Sequence, residues 1–361
     1  MKGIQLLHPS IIVKHRRLAV LFLAACVTIP IALVSNSHAS AHAHFDRPTA
    51  ITACGNRMWV VNQQGNSVTE LNVTTGAVIR VLSSGDYGFG EPVALGCSNG
   101  HLWVVDKQAN AITELSATTG RLIRVIQSPA DGFDSPNAIA VSGKHGWITN
   151  GPLVPTTTPV GNIGNSLTEL NTSDGSLVRL IDAPKDQFAS PDAVVIVGRH
   201  LWVANSQGNP LVELNTSNGS LVQVIHRTGA AYYMPTALAV TGSDLWVAPV
   251  GNSLTELDGS NGTQLRVVSS DGSSTDGVGA IAAYGSEVWA ANIVGNSVSE
   301  IDAASGARVR VIKAAGDGFN APDGITLSFG VVWVTNASNS YGGGSVTELN
   351  ALNGSLIRII K

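Results

Sequence analysis

The fold is decided by the stretch from Pro191 to Ile225, which reads PDAVVIVGRHLWVANSQGNPLVELNTSNGSLVQVI. It contains four short runs rich in β-branched and apolar residues, separated by Gly, Asn and Ser. The four runs are Ala193–Val197, Leu201–Asn205, Leu211–Asn215 and Leu221–Ile225. Short Gly/Asn turns between such runs are typical of antiparallel hairpins. The stretch therefore predicts one sheet of four consecutive antiparallel strands.

The same pattern occurs seven times along the chain. One tryptophan marks each copy, with spacings of 43 to 44 residues and one of 55: Trp59, Trp103, Trp147, Trp202, Trp246, Trp289 and Trp333. A glutamate follows each tryptophan: Glu70, Glu114, Glu169, Glu213, Glu256, Glu300 and Glu348. Seven sheet-forming repeats of this length indicate a propeller, because each unit can bury its faces only against its neighbours.

The predicted fold class is therefore all-β, a seven-bladed β-propeller with four antiparallel strands per blade. The first copy begins with an inner strand at Thr49, and the last ends with an outer strand near Ile360. No strand is left over at either end, so each blade is expected to be contiguous in sequence. Ring closure would then depend on packing of blade 1 against blade 7, helped by a disulfide in the neighbouring blades.

Residues 1–43 read as a secretory signal peptide, and residues 44–361 as the propeller. Basic residues from Lys14 to Arg17 precede an apolar run, Leu18–Val34, which is followed by the small-residue stretch Ala39–Ala43. This is the order of a cleaved leader. A membrane anchor is the alternative, although Pro30 interrupts a run that is short for a span of about 20 residues. A lipidated Cys26 is a third possibility.

Charge and cysteine content limit the function classes. The chain has 21 basic and 25 acidic residues, and the leader removes four basic residues and no acid. Such an acidic surface disfavours nucleic-acid binding, because it repels the phosphate backbone. Cys54 and Cys97 remain after cleavage, and in an oxidising compartment they are expected to form a disulfide. Two buried free thiols are the alternative.

Several repeated residues are interpreted as structural. An indole at the same point of every blade fills the space between sheets. Each glutamate is predicted to pair across strands with an arginine on the outermost strand, except in blade 4, which has Gln223 there. His101, His145 and His200 share one position before the tryptophan, and they are interpreted as turn residues because adjacent blades lie too far apart for one zinc ion.

The chain resembles the YVTN and NHL-type propeller repeats. The resemblance rests on Pro191-Asp192-Ala193, on Leu201–Asn205 and on Gly295–Asp302, and it extends over the chain from about Phe45 to Lys361. It implies the propeller fold but little about function, because such repeats occur in binding proteins, lactonases, lyases and surface proteins. A similarity to virginiamycin B lyase-like repeats adds a lyase to the candidate activities.

A metal site is predicted at one end of the central channel. Asn137, Asp192 and Asp323 each follow a proline at the start of an inner strand. They resemble the ligands of gluconolactonase/SMP-30 propellers, and the resemblance implies Ca²⁺ or Mg²⁺ bound through oxygen atoms. The sequence departs from that family, since alanine follows Asn137 and Asp192, and Glu91 is an imperfect match for the family's glutamate. Turn capping by these side chains is the alternative.

A ligand-binding face is predicted where the connections between blades meet the long Gly151–Gly164 loop. Candidate contact residues in these connections are Tyr87, Phe89, Phe133, Thr157, Tyr232 and Tyr233. Exposed loops on a rigid scaffold commonly carry binding residues. A tolerated insertion explains the long loop equally well.

Two functions follow from these features. The first is a secreted or cell-surface monomer, without a membrane span after leader removal, that binds an extracellular protein, a glycan or a small molecule. The second is a metal-dependent lactonase or lyase. The sequence leaves open the identity of the ligand and whether any catalysis occurs.

Overall fold

The computed structural model describes residues 44–151, 165–182, 188–207, 210–226, 232–251, 253–269, 277–313, 316–338 and 343–361. Within these ranges the chain forms seven four-stranded antiparallel sheets, each made of four consecutive strands. Adjacent inner strands contact one another around the ring, and the first inner strand contacts the last. The predicted seven-bladed propeller and the contiguous blades are confirmed. The predicted leader lies outside the described residues.

The two inner strands of each blade come first in the chain. For blades 1 to 4 they are β1 (Pro48–Cys54), β2 (Arg57–Asn62), β5 (Pro92–Ser98), β6 (His101–Asp106), β9 (Pro136–Ser142), β10 (His145–Asn150), β13 (Pro191–Val197) and β14 (His200–Asn205). For blades 5 to 7 they are β17 (Pro235–Thr241), β18 (Asp244–Pro249), β21 (Val278–Tyr284), β22 (Glu287–Asn292), β25 (Pro322–Ser328) and β26 (Val331–Asn336).

The two outer strands follow. For blades 1 to 4 they are β3 (Ser67–Asn72), β4 (Val78–Ser83), β7 (Ala111–Ser116), β8 (Leu122–Ile126), β11 (Ser166–Asn171), β12 (Leu177–Ile181), β15 (Pro210–Asn215) and β16 (Leu221–His226). For blades 5 to 7 they are β19 (Ser253–Asp258), β20 (Gln264–Ser269), β23 (Ser297–Asp302), β24 (Arg308–Ile312), β27 (Ser345–Asn350) and β28 (Leu356–Ile360). A single helical turn, α1 (Ser84–Tyr87), and a 3₁₀ turn, Pro129–Asp131, lie in connections. No helix of the described residues is long and apolar enough to cross a membrane.

The middle strands of each blade form the core. All but one residue of β2 is buried, and β3 is buried up to its last residue, whereas most of β4 is exposed. A middle strand has a neighbouring sheet on each face, so both of its faces must be apolar. This explains why the second strand reads as a continuous apolar run such as Met58–Val61 instead of an alternating one.

A row of three side chains crosses the middle of each sheet. In blade 1, Trp59 lies opposite Glu70, and Glu70 lies opposite Arg80. Residues directly opposite in an antiparallel ladder project from the same face. The indole and the glutamate are completely buried, and the Arg80 guanidinium lies 2.7 Å from the carboxylate. We call this set the Trp–Glu–Arg row.

The Trp–Glu–Arg row is repeated around the ring, with Gln223 in the arginine position of blade 4. The remaining rows are Trp103–Glu114–Arg124, Trp147–Glu169–Arg179, Trp202–Glu213–Gln223, Trp246–Glu256–Arg266, Trp289–Glu300–Arg310 and Trp333–Glu348–Arg358. The predicted cross-strand Glu–Arg pairs are present. Burial of the carboxylate makes its compensating donor necessary, because an unpaired buried charge is strongly unfavourable.

Each row also contacts the next blade. The Arg80 side chain and the Trp59 ring lie against Gly120, in the turn between the third and fourth strands of blade 2. Gly120 has a φ of 67°, and a left-handed turn packed this closely favours glycine. The Arg80 guanidinium donates to the carbonyl oxygen of Thr119 in the same turn. The buried ion pair of one blade therefore binds the backbone of its neighbour.

Ring closure uses the same contact. Arg358 of blade 7 donates to the carbonyl oxygen of Thr74 in blade 1, at 3.5 Å, and Gly76 packs on Glu348 and Arg358. Phe45, which precedes the first strand, is buried in one cluster with Trp333 of blade 7. Blade 1 thus closes on blade 7 by packing, as expected, without exchanging a strand.

Cys54 and Cys97 form a disulfide with Cα atoms 5.7 Å apart. The bond joins the inner strands of blades 1 and 2, so it does not cross the junction between blades 7 and 1. We expect a reductant to lower the melting temperature by several degrees, because a cross-link over 43 residues stabilises by up to about 4 kcal/mol. Thermal unfolding followed by circular dichroism measures this effect. The control is the Cys54→Ser, Cys97→Ser variant, whose melting temperature should not respond to the reductant.

Candidate functional site

The two ends of the propeller differ in their connections. We call the end with the connections between strands two and three and between blades the loop face, and the opposite end, with the hairpin turns, the turn face. On the loop face, the first strand of each blade begins directly after a residue in left-handed conformation: Arg47, Glu91, Ser135, Ser190, Met234, Gly277 and Ala321. These residues surround the loop-face end of the channel.

Four of these left-handed residues each donate a backbone hydrogen bond to an asparagine side chain of the preceding blade. Glu91 donates its backbone N–H to Asn66 Oδ1, and Ser135 donates to Asn110 Oδ1, both at 2.7 Å. The same contact joins Ser190 to Asn165 and Ala321 to Asn296. A left-handed, non-glycine residue is uncommon and unfavourable by itself. The asparagine contacts compensate this cost and fix the channel mouth.

Two of the three predicted metal-binding residues lie together at this mouth. Asn137 Nδ2 donates to Asp192 Oδ1 at 2.5 Å, and Lys107 Nζ donates to Asn137 Oδ1 at 3.0 Å. The Lys107 backbone N–H also donates to the carbonyl oxygen of Glu91. Blades 2, 3 and 4 therefore contribute to one polar group of side chains, Glu91, Lys107, Asn137 and Asp192, which we call the mouth cluster.

Burial and charge compensation oppose each other within the mouth cluster. Burial lowers the pKa of Lys107, while Asp192 and Glu91 raise it. Burial raises the pKa of Asp192, while a hydrogen bond from Ser206, the Lys107 charge and Asn137 lower it. The Glu91 carboxylate also accepts a hydrogen bond from Gln63 Nε2 at 2.8 Å. Lys107 is thus the internal cation of this cluster.

Asp323 has a different charged partner. Burial raises its pKa to about 6, and the Arg47 charge opposes that rise. Arg47 belongs to the segment that leads into blade 1, and the Asp323 carboxylate faces Gly279 of blade 6.

As arranged, Asn137 and Asp192 are hydrogen-bonded to protein donors at the oxygen atoms that the predicted Ca²⁺ or Mg²⁺ ion would need. Hard cations require several free oxygen ligands, yet Asn137 Oδ1 already accepts from an ammonium group and Asp192 Oδ1 accepts from an amide. Across the described residues, no three His, Cys, Asp or Glu side chains group in a metal-binding arrangement. The mouth cluster is therefore a hydrogen-bonding site with its own positive charge.

The aromatic prediction needs correction. Phe89 is only 4% exposed and Tyr232 only 2% exposed, so neither is available on the surface, and the Tyr232 hydroxyl donates to Gln264. Each lies three residues before the proline of an inner strand, and that position is aromatic in six blades: Phe45, Phe89, Phe133, Phe188, Tyr232 and Phe319. The periodicity of this position was the missed signal, because a residue repeated in nearly every blade is structural.

The other predicted contact residues have different surroundings. Tyr87 is partly buried and stacks on Phe89 with ring centres 5.5 Å apart. Phe133 is also partly buried, against the core between blades 2 and 3. Tyr233 is 52% exposed, so it alone of the described candidates is largely available. Thr157 lies outside the described residues.

The three histidines interpreted as turn residues have a more specific role. His101, His145 and His200 place Nδ1 within 2.5 to 2.6 Å of the buried glutamate of the same blade. Arg57 occupies that position in blade 1, with Nε 2.8 Å from Glu70. The glutamates of blades 1 to 4 are therefore contacted from both sides, by strand two and by strand four.

Asp106 departs from a repeated asparagine. Its counterparts Asn62, Asn150, Asn292 and Asn336 each donate Nδ2 to two hydroxyl oxygens on strand three. Asp106 is completely buried and instead accepts from Thr113 Oγ1 at 2.8 Å. Burial raises its pKa to about 7, while hydrogen bonds from Thr113 and Gly90 lower it. It immediately precedes Lys107 of the mouth cluster in the chain.

The first strands also form a pocket nearer the turn face. This pocket of about 660 Å³ is lined mainly by aliphatic side chains of inner strands in blades 3 to 6, among them Ile139, Val195 and Val240.

Comparison with known proteins supports the fold and nothing finer. No family model matches this chain, and no curated protein matches it. Among solved structures, it resembles the crystal structure of the computationally designed Ika8 protein, with a TM-score of 0.59 and 15% sequence identity over 88% of this chain and 87% of the designed one. The chain is a seven-bladed β-propeller, with a polar cluster at one channel mouth.

Replacing Asp106 tests the buried carboxylate. The folded-state pKa of about 7 exceeds the unfolded value of about 4, so the cost of the buried charge is small near pH 4, grows as the pH rises from about 4 to about 7, and is fully present above that. We expect Asp106→Asn to raise the free energy of unfolding near pH 8, by at most about 4 kcal/mol, and to change it little near pH 4. Denaturant unfolding at both pH values measures this difference.

The matched control is Asn150→Asp in blade 3. It should create the same loss of stability with rising pH, because it places a carboxylate in the equivalent buried position. An Asp106→Asn variant with an unchanged pH profile would contradict the assignment.

Proposed function

We propose that this chain is an exported binding protein whose loop face binds a small polar ligand, or the polar end of a larger one, at the mouth cluster. Lys107 provides a positive donor, Asp192 and Glu91 provide acceptors, and Asn137 connects them. The observation that carries the proposal is the hydrogen-bonded contact of Lys107, Asn137 and Asp192 from three successive blades.

Departure from the repeat supports this choice of site. The residue equivalent to Lys107 is Gln63, Gly151, Ser206, Val250, Ile293 or Ala337 in the other blades. The fold therefore does not require a lysine there. Placing a partly buried ammonium beside two carboxylates has an energetic cost that the repeat avoids elsewhere, and such charged groups in a concave site are typical of binding positions.

The predicted leader and the disulfide support export. The leader-like residues 1–43 predict secretion, and a disulfide between Cys54 and Cys97 persists in an oxidising compartment. Membership in the YVTN or NHL-type repeat families is likewise a proposal, supported by the repeat residues alone. Within those families we favour a binding role over a metal-dependent lactonase or lyase, because Lys107 provides the cation of the mouth cluster.

A ligand screen by thermal unfolding tests the proposal. A library of saccharides, carboxylic acids and amines should contain compounds that raise the melting temperature, since a ligand at about 100 times its Kd adds about 2.7 kcal/mol to the free energy of unfolding. That stabilisation should be lost in Lys107→Met, which keeps a similar chain length, and in Asp192→Asn. The control is Lys144→Met, which removes an exposed lysine on the turn face.

Ligands that stabilise Lys107→Met as strongly as the unchanged protein would contradict the proposed site. Near-ultraviolet circular dichroism of each variant verifies that its aromatic core is intact.

Divalent ions provide a separate prediction. We expect millimolar Ca²⁺ or Mg²⁺ to leave the melting temperature unchanged. Lys107 already donates a hydrogen bond to Asn137, and its positive charge already compensates the Asp192 carboxylate. Differential scanning calorimetry with and without a chelator measures this. A clear ion-dependent rise that disappears in Asp192→Asn would instead favour the metal-dependent lactonase or lyase.

A further inference from the structure

Three large side chains on the turn face depart from the repeat. Tyr284, Phe329 and Leu352 are 69%, 75% and 84% exposed. In the other blades, the Tyr284 position holds Cys54, Ser98, Ser142, Val197, Thr241 or Ser328, and the Phe329 position holds Gly55, Asn99, Gly143, Gly198, Gly242 or Gly285. The Leu352 position holds Thr74, Thr118, Ser173, Ser217, Ser260 or Ala304. Folding therefore does not require these three large groups, and they occur together in blades 6 and 7.

Phe329 also has an unfavourable backbone. Its φ is 52°, in the left-handed region that Gly55, Asn99 and Gly143 occupy at the same turn. A bulky residue in this conformation is an outlier and costs free energy, and such strain is concentrated at functional sites. An exposed ring that neither packs in the core nor fits the turn has no structural purpose here.

The three side chains surround a surface pocket of about 390 Å³ between the turns of blades 6 and 7. Glu287 is the only charged residue among the described residues that line it. In blades 1 to 4 the equivalent position holds the bases Arg57, His101, His145 and His200. Glu287 Oε2 accepts from Trp289 Nε1 at 3.1 Å, which anchors the carboxylate beside the pocket. The pocket therefore combines apolar walls, two aromatic rings and one fixed negative charge.

We propose that this turn-face pocket binds an organic cation, an ammonium group on a short apolar body. The aromatic faces of Tyr284 and Phe329 attract a cation electrostatically, and the Glu287 carboxylate provides the opposite charge. Leu352 provides apolar contact for the remainder of the ligand. The pocket lies on the face opposite the mouth cluster, so this site is independent of the function proposed above.

Choline and its uncharged carbon isostere, in which a carbon atom replaces the ammonium nitrogen, are the probes. Isothermal titration of the protein should detect choline and show at least about fourfold weaker binding of the isostere, because each of the two exposed cation–aromatic contacts contributes about two- to fivefold in affinity. Equal affinity for both probes, or no heat with choline, would overturn the proposal.

Two variants locate the binding. Glu287→Gln should weaken choline at least about fivefold, a modest loss expected for a partly exposed charge pair, and should leave the isostere unchanged. Phe329→Gly restores the common turn residue, so it should raise the melting temperature while weakening choline binding about two- to fivefold. The matched control is Tyr233→Ser, which removes an exposed ring on the loop face and should not alter choline binding.

Because Phe329→Gly is expected to be more stable than the unchanged protein, a loss of choline binding in this variant cannot be caused by unfolding. Unchanged choline affinity in Phe329→Gly would overturn the site. A second copy of the chain is the competing occupant of this apolar surface. If sedimentation velocity showed a dimer that Phe329→Gly converts to a monomer, the surface would be a self-association interface and the cation site would be refuted.

Discussion

The buried Trp–Glu–Arg row is the contact on which the rest of the propeller depends. Adjacent sheets must pack along their whole middle strands. One tryptophan of each blade fills the space between them, and each of these side chains is at most 1% exposed. The same packing desolvates the glutamate opposite, which then needs a partner. Arginine provides one, and five of these arginines also donate to a backbone carbonyl of the next blade: Arg80, Arg124, Arg266, Arg310 and Arg358. One row thus satisfies packing, charge and blade-to-blade attachment together.

A repeat that satisfies the fold in the same way in every blade makes its exceptions informative. Asp106 departs from a repeated asparagine, and Lys107 beside it is charged where the other blades have uncharged residues. Lys107 contacts Asn137, which contacts Asp192. Phe329 is a third exception, on the opposite face. Each exception is unfavourable for folding, through a buried charge or a left-handed backbone. Features that a repeat tolerates at a cost are the best candidates for function.

The number of blades, their contiguity and the Glu–Arg pairing could be predicted because tryptophan, glutamate and arginine recur at fixed separations. Asn137 and Asp192 were placed at the same end of the channel because each follows the proline of an inner strand, but they were predicted as metal ligands and not as hydrogen-bond partners. Lys107 was missed because its side chain crosses to another blade, which depends on the curvature of the ring. Phe89 and Tyr232 were wrongly assigned to the surface because aromatic residues in connections were considered singly instead of across blades.

Ring closure by the seventh row is tested most directly by a pair of glycine substitutions in blade 1. Gly76 has a φ of 67° and packs on Glu348 and Arg358 of blade 7. Gly55 has a φ of 61°, and the space that an alanine side chain would occupy there is open. Gly55→Ala should cost only the backbone strain, about 1–2 kcal/mol, and Gly76→Ala should cost about 1–3 kcal/mol more through overpacking. The measurement is the free energy of unfolding of both variants in denaturant. A larger loss for Gly76→Ala is the predicted result, and equal losses would contradict a tightly packed junction between blades 7 and 1.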